Sequence, residues 1–106
     1  MTPYAYIWEF EVRSGREAEF ELHYGPNGSW VQLFRTARGY IDTVLLRDRT
    51  QARRYVTIDR WESEHAYRDF RAMQATAFTV LDSRCEGLTS AERELGRYDV
   101  ISSHAV

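Results

Sequence analysis

Large apolar and polar side chains alternate along the first dozen residues. Tyr4, Tyr6, Trp8, Phe10 and Val12 fall on one side at a period of two, and Ala5, Ile7, Glu9 and Glu11 on the other. That alternation predicts a strand with one strongly apolar face, broken by Ser14-Gly15. From Arg16 the spacing changes, and Phe20 and Tyr24 stand one helical turn apart. Gly25-Pro26-Asn27-Gly28 then interrupts the helix, because Pro26 has no amide donor and Asn27-Gly28 favours a turn. Trp30, Leu33 and Phe34 resume the helical stripe, with Ser29 as the expected cap. Residues 16 to 37 therefore read as one broken helix ending before Gly39.

Tyr40 to Arg47 is predicted as the second strand, Asp48 to Arg53 as a polar turn, and Arg54 to Trp61 as a third strand antiparallel to the second. One face of that third strand carries Tyr55, Thr57, Asp59 and Trp61, the other Arg54, Val56, Ile58 and Arg60. Ser63 is a suitable N-cap for a helix bearing Ala66, Phe70, Met73, Ala77, Leu81 and Cys85 and ended by Gly87. Thr89-Ser90-Ala91-Glu92 has capping-box spacing, which predicts a short helix closed by Gly96, and Arg97 to Ser102 reads as the last strand. The order is βαββαβ, the pattern of a ferredoxin-like α+β plait: a four-stranded antiparallel sheet with both helices on one face. The strands are apolar on both faces, so the uncovered face is expected to meet a second copy of itself in a homodimer.

At 106 residues, the whole chain is expected to be a single domain. With 43% hydrophobic and 28% charged residues it is neither disordered nor a disulfide scaffold. A net charge of -2 gives no electrostatic reason to bind nucleic acid or an anionic membrane, and no apolar run is long enough to span a bilayer. No secretion signal is visible, and the lone Cys85 cannot form an internal bridge, so a cytoplasmic location is expected. All 14 basic residues are arginine, which genomic base composition accounts for and which excludes lysine chemistry. Aromatics make up 14% of the chain, more than a small core needs, and imply either a flat-walled cavity or a subunit interface.

Candidate chemistry is sparse. His23, His65 and His104 lack metal-ligand spacing, no phosphate-binding motif is present, and Cys85 sits on an apolar stripe, so neither metal nor cofactor is expected. What remains is Tyr55 to Tyr67, which holds an acid, an indole and a phenol near a strand-to-helix junction. Asp59 is a candidate general base if burial raises its pKa, or else the partner of an arginine. His23, beside Tyr24 and the helix break, is the other candidate base. Tyr67 is a catalytic donor or a half-buried helix tyrosine, and Trp61 is pocket lining or packing. Tyr55 and Thr57 share the strand face with Asp59 and Trp61, and Trp8, Tyr24, Trp30 and Phe70 are cavity walls or core.

The run Arg60-Trp61-Glu62-Ser63 with Ala66 and Phe70 behind it resembles the antibiotic biosynthesis monooxygenase domain of the dimeric α/β-barrel superfamily. So do Tyr24-Gly25-Pro26-Asn27-Gly28-Ser29-Trp30, Gly39-Tyr40 and the segment Leu81 to Glu86. The resemblance implies a homodimer with face-to-face sheets. It implies a cofactor-independent oxygenase acting on an electron-rich aromatic or polyketide-type small molecule, with no metal or flavin. It places Trp61 at the family's pocket tryptophan and Tyr67 at a tyrosine near the substrate, while Thr57 stands where such oxygenases carry an asparagine. A haem-degrading branch of the superfamily uses an asparagine and a histidine where this chain has Trp8 and Arg71, so that branch is not expected. A non-redox polyketide cyclase or isomerase, or a small-molecule binder, would use the same kind of cavity.

Overall fold

The computed structural model describes residues 2–102. Four strands, β1 (Tyr4–Val12), β2 (Tyr40–Arg47), β3 (Arg54–Trp61) and β4 (Thr89–Asp99), form one antiparallel sheet in the order β2-β3-β1-β4. Between β1 and β2 run α1 (Glu17–Tyr24) and α2 (Ser29–Phe34); between β3 and β4 run α3 (Glu64–Met73) and α4 (Ala75–Cys85). This is the ferredoxin-like plait, with each crossover helix divided in two.

The division of the first crossover has a steric cause. A Cβ on Gly28 would lie 2.3 Å from the carbonyl oxygen of His23 and 2.5 Å from that of Leu22, so the chain can double back onto α1 only through a glycine. Gly28 is the N-cap of α2. Ser29, expected there, is instead its first helical residue, and its hydroxyl bonds to His23 Nδ1 at 2.8 Å. Ser63 caps α3 as expected, accepting from the Ala66 amide at 3.1 Å. The long helix predicted beyond it breaks at Gln74, which leaves the helical region (φ -111°, ψ 28°). Met73 is 83% exposed, although its spacing had placed it on the buried stripe; the inward positions run from Phe70 through Gln74 and Phe78 to Leu81 and leave Met73 off them.

The larger departure is at the C-terminal end. Residues 89 to 96 are strand, not a short helix. Pairing with β1 from Val12↔Thr89 to Tyr4↔Asp99 satisfies backbone groups that an isolated turn of helix would leave to solvent. The capping-box side chains still meet, with Thr89 Oγ1 donating to Glu92 Oε2 at 3.2 Å, but on a strand. A bulge at Leu95 lets Trp8 face Glu94 while Ile7 faces Gly96. The last strand ends at Asp99, three residues short of the predicted Ser102.

The helical face of the sheet holds the core. Phe20 and Tyr24 stack at 4.2 Å between ring centroids, over Phe10 and Tyr55. The opposite face is open and apolar at its centre. Val44, Ile58 and Ile7 form one rung and Leu46 and Val56 the next, with Val44 42% and Leu46 46% exposed. Ion pairs border these rungs: Arg60 with Asp42 on one side, and Arg54 and Arg93 with Glu9 on the other. No helix among the described residues is long and apolar enough to cross a membrane.

Candidate functional site

The buried face of β3 presents four residues in line, and their neighbours decide which can be reached. Tyr55 and Trp61, at the two ends, are plugs. Trp61 is fully buried, its ring 5.1–5.6 Å from those of Phe34, Tyr40, Tyr67 and Phe70. Tyr55 lies under Phe20 and donates its hydroxyl to Glu21 Oε2 at 2.6 Å; burial and that bond push its pKa up to about 12. The two middle positions, Thr57 and Asp59, are small and polar, and above them the helices do not close. Thr57 faces Trp8 and Leu45, and Asp59 faces Tyr6 and Thr43.

The space left over these two rungs is a cavity of about 260 Å³. Its floor is Thr57, Asp59, Thr43, Tyr6, Trp8 and Phe10. The breaks in the two crossovers shape its roof, which takes Tyr24 from α1, Trp30 and Phe34 from α2, Tyr67 and Arg71 from α3, and Phe78 and Asp82 from α4. Glu92 of β4 closes one side.

Asp59 is the group with altered chemistry. Its carboxyl is 8% exposed, and burial raises its pKa from 3.8 to about 6. Against that rise, Thr43 Oγ1 donates to Asp59 Oδ1 at 2.7 Å and favours the anion, while the nearby Asp42 charge opposes it. Since Thr43 spends its proton on Asp59, Tyr40 Oη donates to Thr43 Oγ1 at 2.6 Å, so the chain of bonds runs Tyr40 to Thr43 to Asp59. Neither neighbouring arginine reaches Asp59: Arg60 is paired with Asp42 and Arg54 with Glu9 on the opposite face. A carboxylate that ionises near neutrality, fixed at one oxygen and facing an aromatic cavity, can take a proton from a weak carbon or oxygen acid.

The structure thus brings Asp59, Thr57, Tyr67, Trp8, Tyr24 and Trp30 to one cavity. Trp61, Tyr55 and Phe70 lie behind its ends rather than on its wall. His23 is bonded to Ser29 and also stands off the wall, as does the exposed His65, which faces Asp69 at 3.3 Å. His104 lies outside the described residues. Tyr67 Oη accepts from Arg71 Nη1 at 2.9 Å; burial, aided by the neighbouring Tyr6 hydroxyl, raises its pKa above that of a free phenol, and the Arg71 bond works against the rise. Burial does the same for Tyr24, for the Glu92 carboxyl and for the Cys85 thiol. No cluster of three or more His, Cys, Asp or Glu side chains suited to a metal occurs among the described residues.

Thr43, Arg71, Phe78, Asp82 and Glu92 complete the site without having been singled out in the sequence. Thr43 left one signal, a hydroxyl two residues before Leu45 on the same face of β2. Arg71 left another, lying one helical turn beyond Tyr67. The local pattern marked Glu92 only as part of a capping box, and it reaches the cavity because its segment is a strand.

Among curated proteins, none matches the sequence. Several solved structures share the fold. SnoaB, a cofactor-independent oxygenase from Streptomyces nogalater, superposes with a TM-score of 0.77 at 22% identity, over 97% of each chain. A candidate antibiotic biosynthesis monooxygenase from Bordetella bronchiseptica gives a TM-score of 0.74 at 22% identity, over 96% of this chain and 100% of that one. A point mutant of MhuD, with two manganese protoporphyrin IX molecules bound per active site, gives 0.75 at 20% identity, over 97% and 99%. At these identities the likeness concerns the fold. The sequence itself goes further, because the family model for antibiotic biosynthesis monooxygenases matches residues 3–77. With the plait, the divided crossovers and the cavity between sheet and helices in view, the chain belongs to the antibiotic biosynthesis monooxygenase family.

Proposed function

We propose that this protein is a cofactor-independent oxygenase of an electron-rich aromatic small molecule, such as an anthrone or hydroquinone. The observation that carries the reading is Asp59: a buried carboxylate with a pKa of about 6, held by Thr43, on the floor of an aromatic cavity. Asp59 removes a proton from the activated C–H or O–H of the substrate, while Thr57 and the O–H of Tyr67 hold the substrate oxygen on which negative charge gathers. The carbanion passes one electron to O₂, the radical pair combines into a C–O bond, and the peroxide takes the proton back from Asp59. Loss of water from an anthrone hydroperoxide then leaves the quinone. One oxygen atom is in the product and one in water, so the methylene carbon is oxidised by four electrons and O₂ reduced by four. Trp8, Trp30 and Phe78 supply stacking surface and exclude water. Trp61 acts through Tyr67, whose ring it supports at 5.3 Å.

The reading includes a homodimer in a reducing compartment. Support comes from the open sheet face, where the rungs Val44–Ile58–Ile7 and Leu46–Val56 lie between charged pairs and suit a second copy of the same face. The single Cys85 is buried and free.

Oxygen uptake with anthrones and hydroquinones, run in air and under argon, tests the activity. Oxygen-dependent quinone formation, lost in a folded Asp59→Asn variant, is the expected result. Product formed equally fast under argon overturns the oxygenase and assigns cyclisation or isomerisation by the same base.

A further inference from the structure

Three carboxylates, Asp59, Asp82 and Glu92, line the cavity; Arg71 is the one cation among its described lining residues. Its setting is unusual for a surface arginine. Its guanidinium carbon lies 3.8 Å from the centroid of the Phe78 ring, and Nη1 donates to Tyr67 Oη at 2.9 Å, one helical turn back on α3. The stack fixes the plane of the group and the hydrogen bond fixes its rotation. No carboxylate lies within ion-pair distance of it among the described residues, although seven other arginines have such partners. An arginine carries five N–H donors, so four remain unspent here. Arg71 is exposed at the rim of the cavity, but the stack on Phe78 and the bond to Tyr67 orient a head that would otherwise be mobile in water.

We infer that Arg71 is the recognition residue for a carboxylate on the ligand, so that the cavity takes aromatic acids in preference to neutral aromatics. The inference rests on the proposed function only in that an aromatic small molecule occupies the cavity. A planar carboxylate matches the guanidinium fork, which keeps four N–H donors after its bond to Tyr67. A monoanion is favoured over a phosphate, because each added charge meets the repulsion of Asp59, Asp82 and Glu92. Those carboxylates also set the direction of binding: the acid group is drawn to Arg71, and the ring lies over Thr57 and Asp59.

The test is equilibrium binding, which needs no turnover. Trp8 and Trp30 line the cavity, so their fluorescence reports occupancy by naphthoate or by its uncharged isostere naphthamide at pH 8. Naphthoate is expected to bind about tenfold more tightly than naphthamide. Arg71→Met keeps the stem packed on Phe78 but removes the charge; it is expected to bring naphthoate down to the affinity of naphthamide and to leave naphthamide unchanged. Arg71→Lys should recover part of the preference. Equal affinities in the native protein, no saturable quenching by naphthoate, or an Arg71→Met loss shared equally by both ligands would each overturn the inference. A clear acid preference with no oxygen uptake would sink the oxygenase and leave this recognition standing. Oxygen uptake with neutral quinols and no acid preference would do the reverse.

Discussion

Thr43 Oγ1 and Asp59 Oδ1 are 2.7 Å apart, joined across the β2–β3 pair with the threonine as donor. This bond stabilises the ionised form of Asp59 and partly offsets the effect of burial. A base must be deprotonated to act, so turnover is expected to fall as pH drops through about 6. Thr43→Val removes the donor and should move that acidic limb upward by about one pH unit. Thr43→Ser should restore it. The pH profile of kcat/KM reads the shift, and a variant that lowers the rate equally at all pH values would refute the role given to Thr43.

Asp59 binds its proton more tightly in the fold than in the unfolded chain. Stability is therefore highest while the group stays protonated, declines as pH rises from 3.8 through about 6, and remains reduced above that. Asp59→Asn keeps an acceptor for Thr43 and removes the buried charge. It is expected to stabilise the protein at pH 8 by at most about 3 kcal/mol, with no gain near pH 3, while abolishing turnover. Urea unfolding at the two pH values measures both effects.

Ile58 lies at the centre of the open sheet face, between Val44 and Ile7. Placing a carboxylate there, as Ile58→Glu, buries an unpaired charge in the proposed interface. Sedimentation equilibrium should find the native protein at twice its chain mass and this variant at one chain mass. A native protein that sediments as one chain refutes the pairing.

Gly39 permits a close approach of another kind. A Cβ there would stand 2.3 Å from Ala66 Cβ at the start of α3, while the Gly39 carbonyl accepts from the Glu62 amide at 2.7 Å. Gly39→Ala is expected to cost about 1–3 kcal/mol through overpacking. Adding Ala66→Gly should return part of the loss, and thermal melts of the single and double variants measure the coupling.

The sheet was legible in the sequence where alternation was strong, as in β1, and where the turn after Asp48 carried its own chemistry. Asp48 Oδ1 accepts from the amides of Thr50 and Gln51, a local bond that closes the hairpin by itself. Residues 89 to 96 misled because capping-box spacing is a local signal, whereas pairing with β1 is a long-range one. The break at Gln74 had no glycine or proline to mark it. Asp59 drew notice as the acid on the strand face shared with Thr57 and Trp61, and the structure places it on the cavity floor with no arginine partner among the described residues. Its relation to Thr43 was not legible, since that depends on strand register, which alternation alone leaves open by two residues either way.

The plugs at the two ends of the β3 face, Tyr55 and Trp61, pack behind the ends of the cavity. Residues two apart on a strand are separated by about 7 Å, so replacing the indole of Trp61 by a small side chain would lengthen the hollow by about that distance toward α3. The acid, its hydroxyl partner and the stacking walls would all stay in place. A bigger fused-ring guest could then be admitted at an expense of about 3–5 kcal/mol in stability. Under the proposed function, the length of guest admitted is expected to depend on side chains packed behind the cavity wall as well as on those that line it.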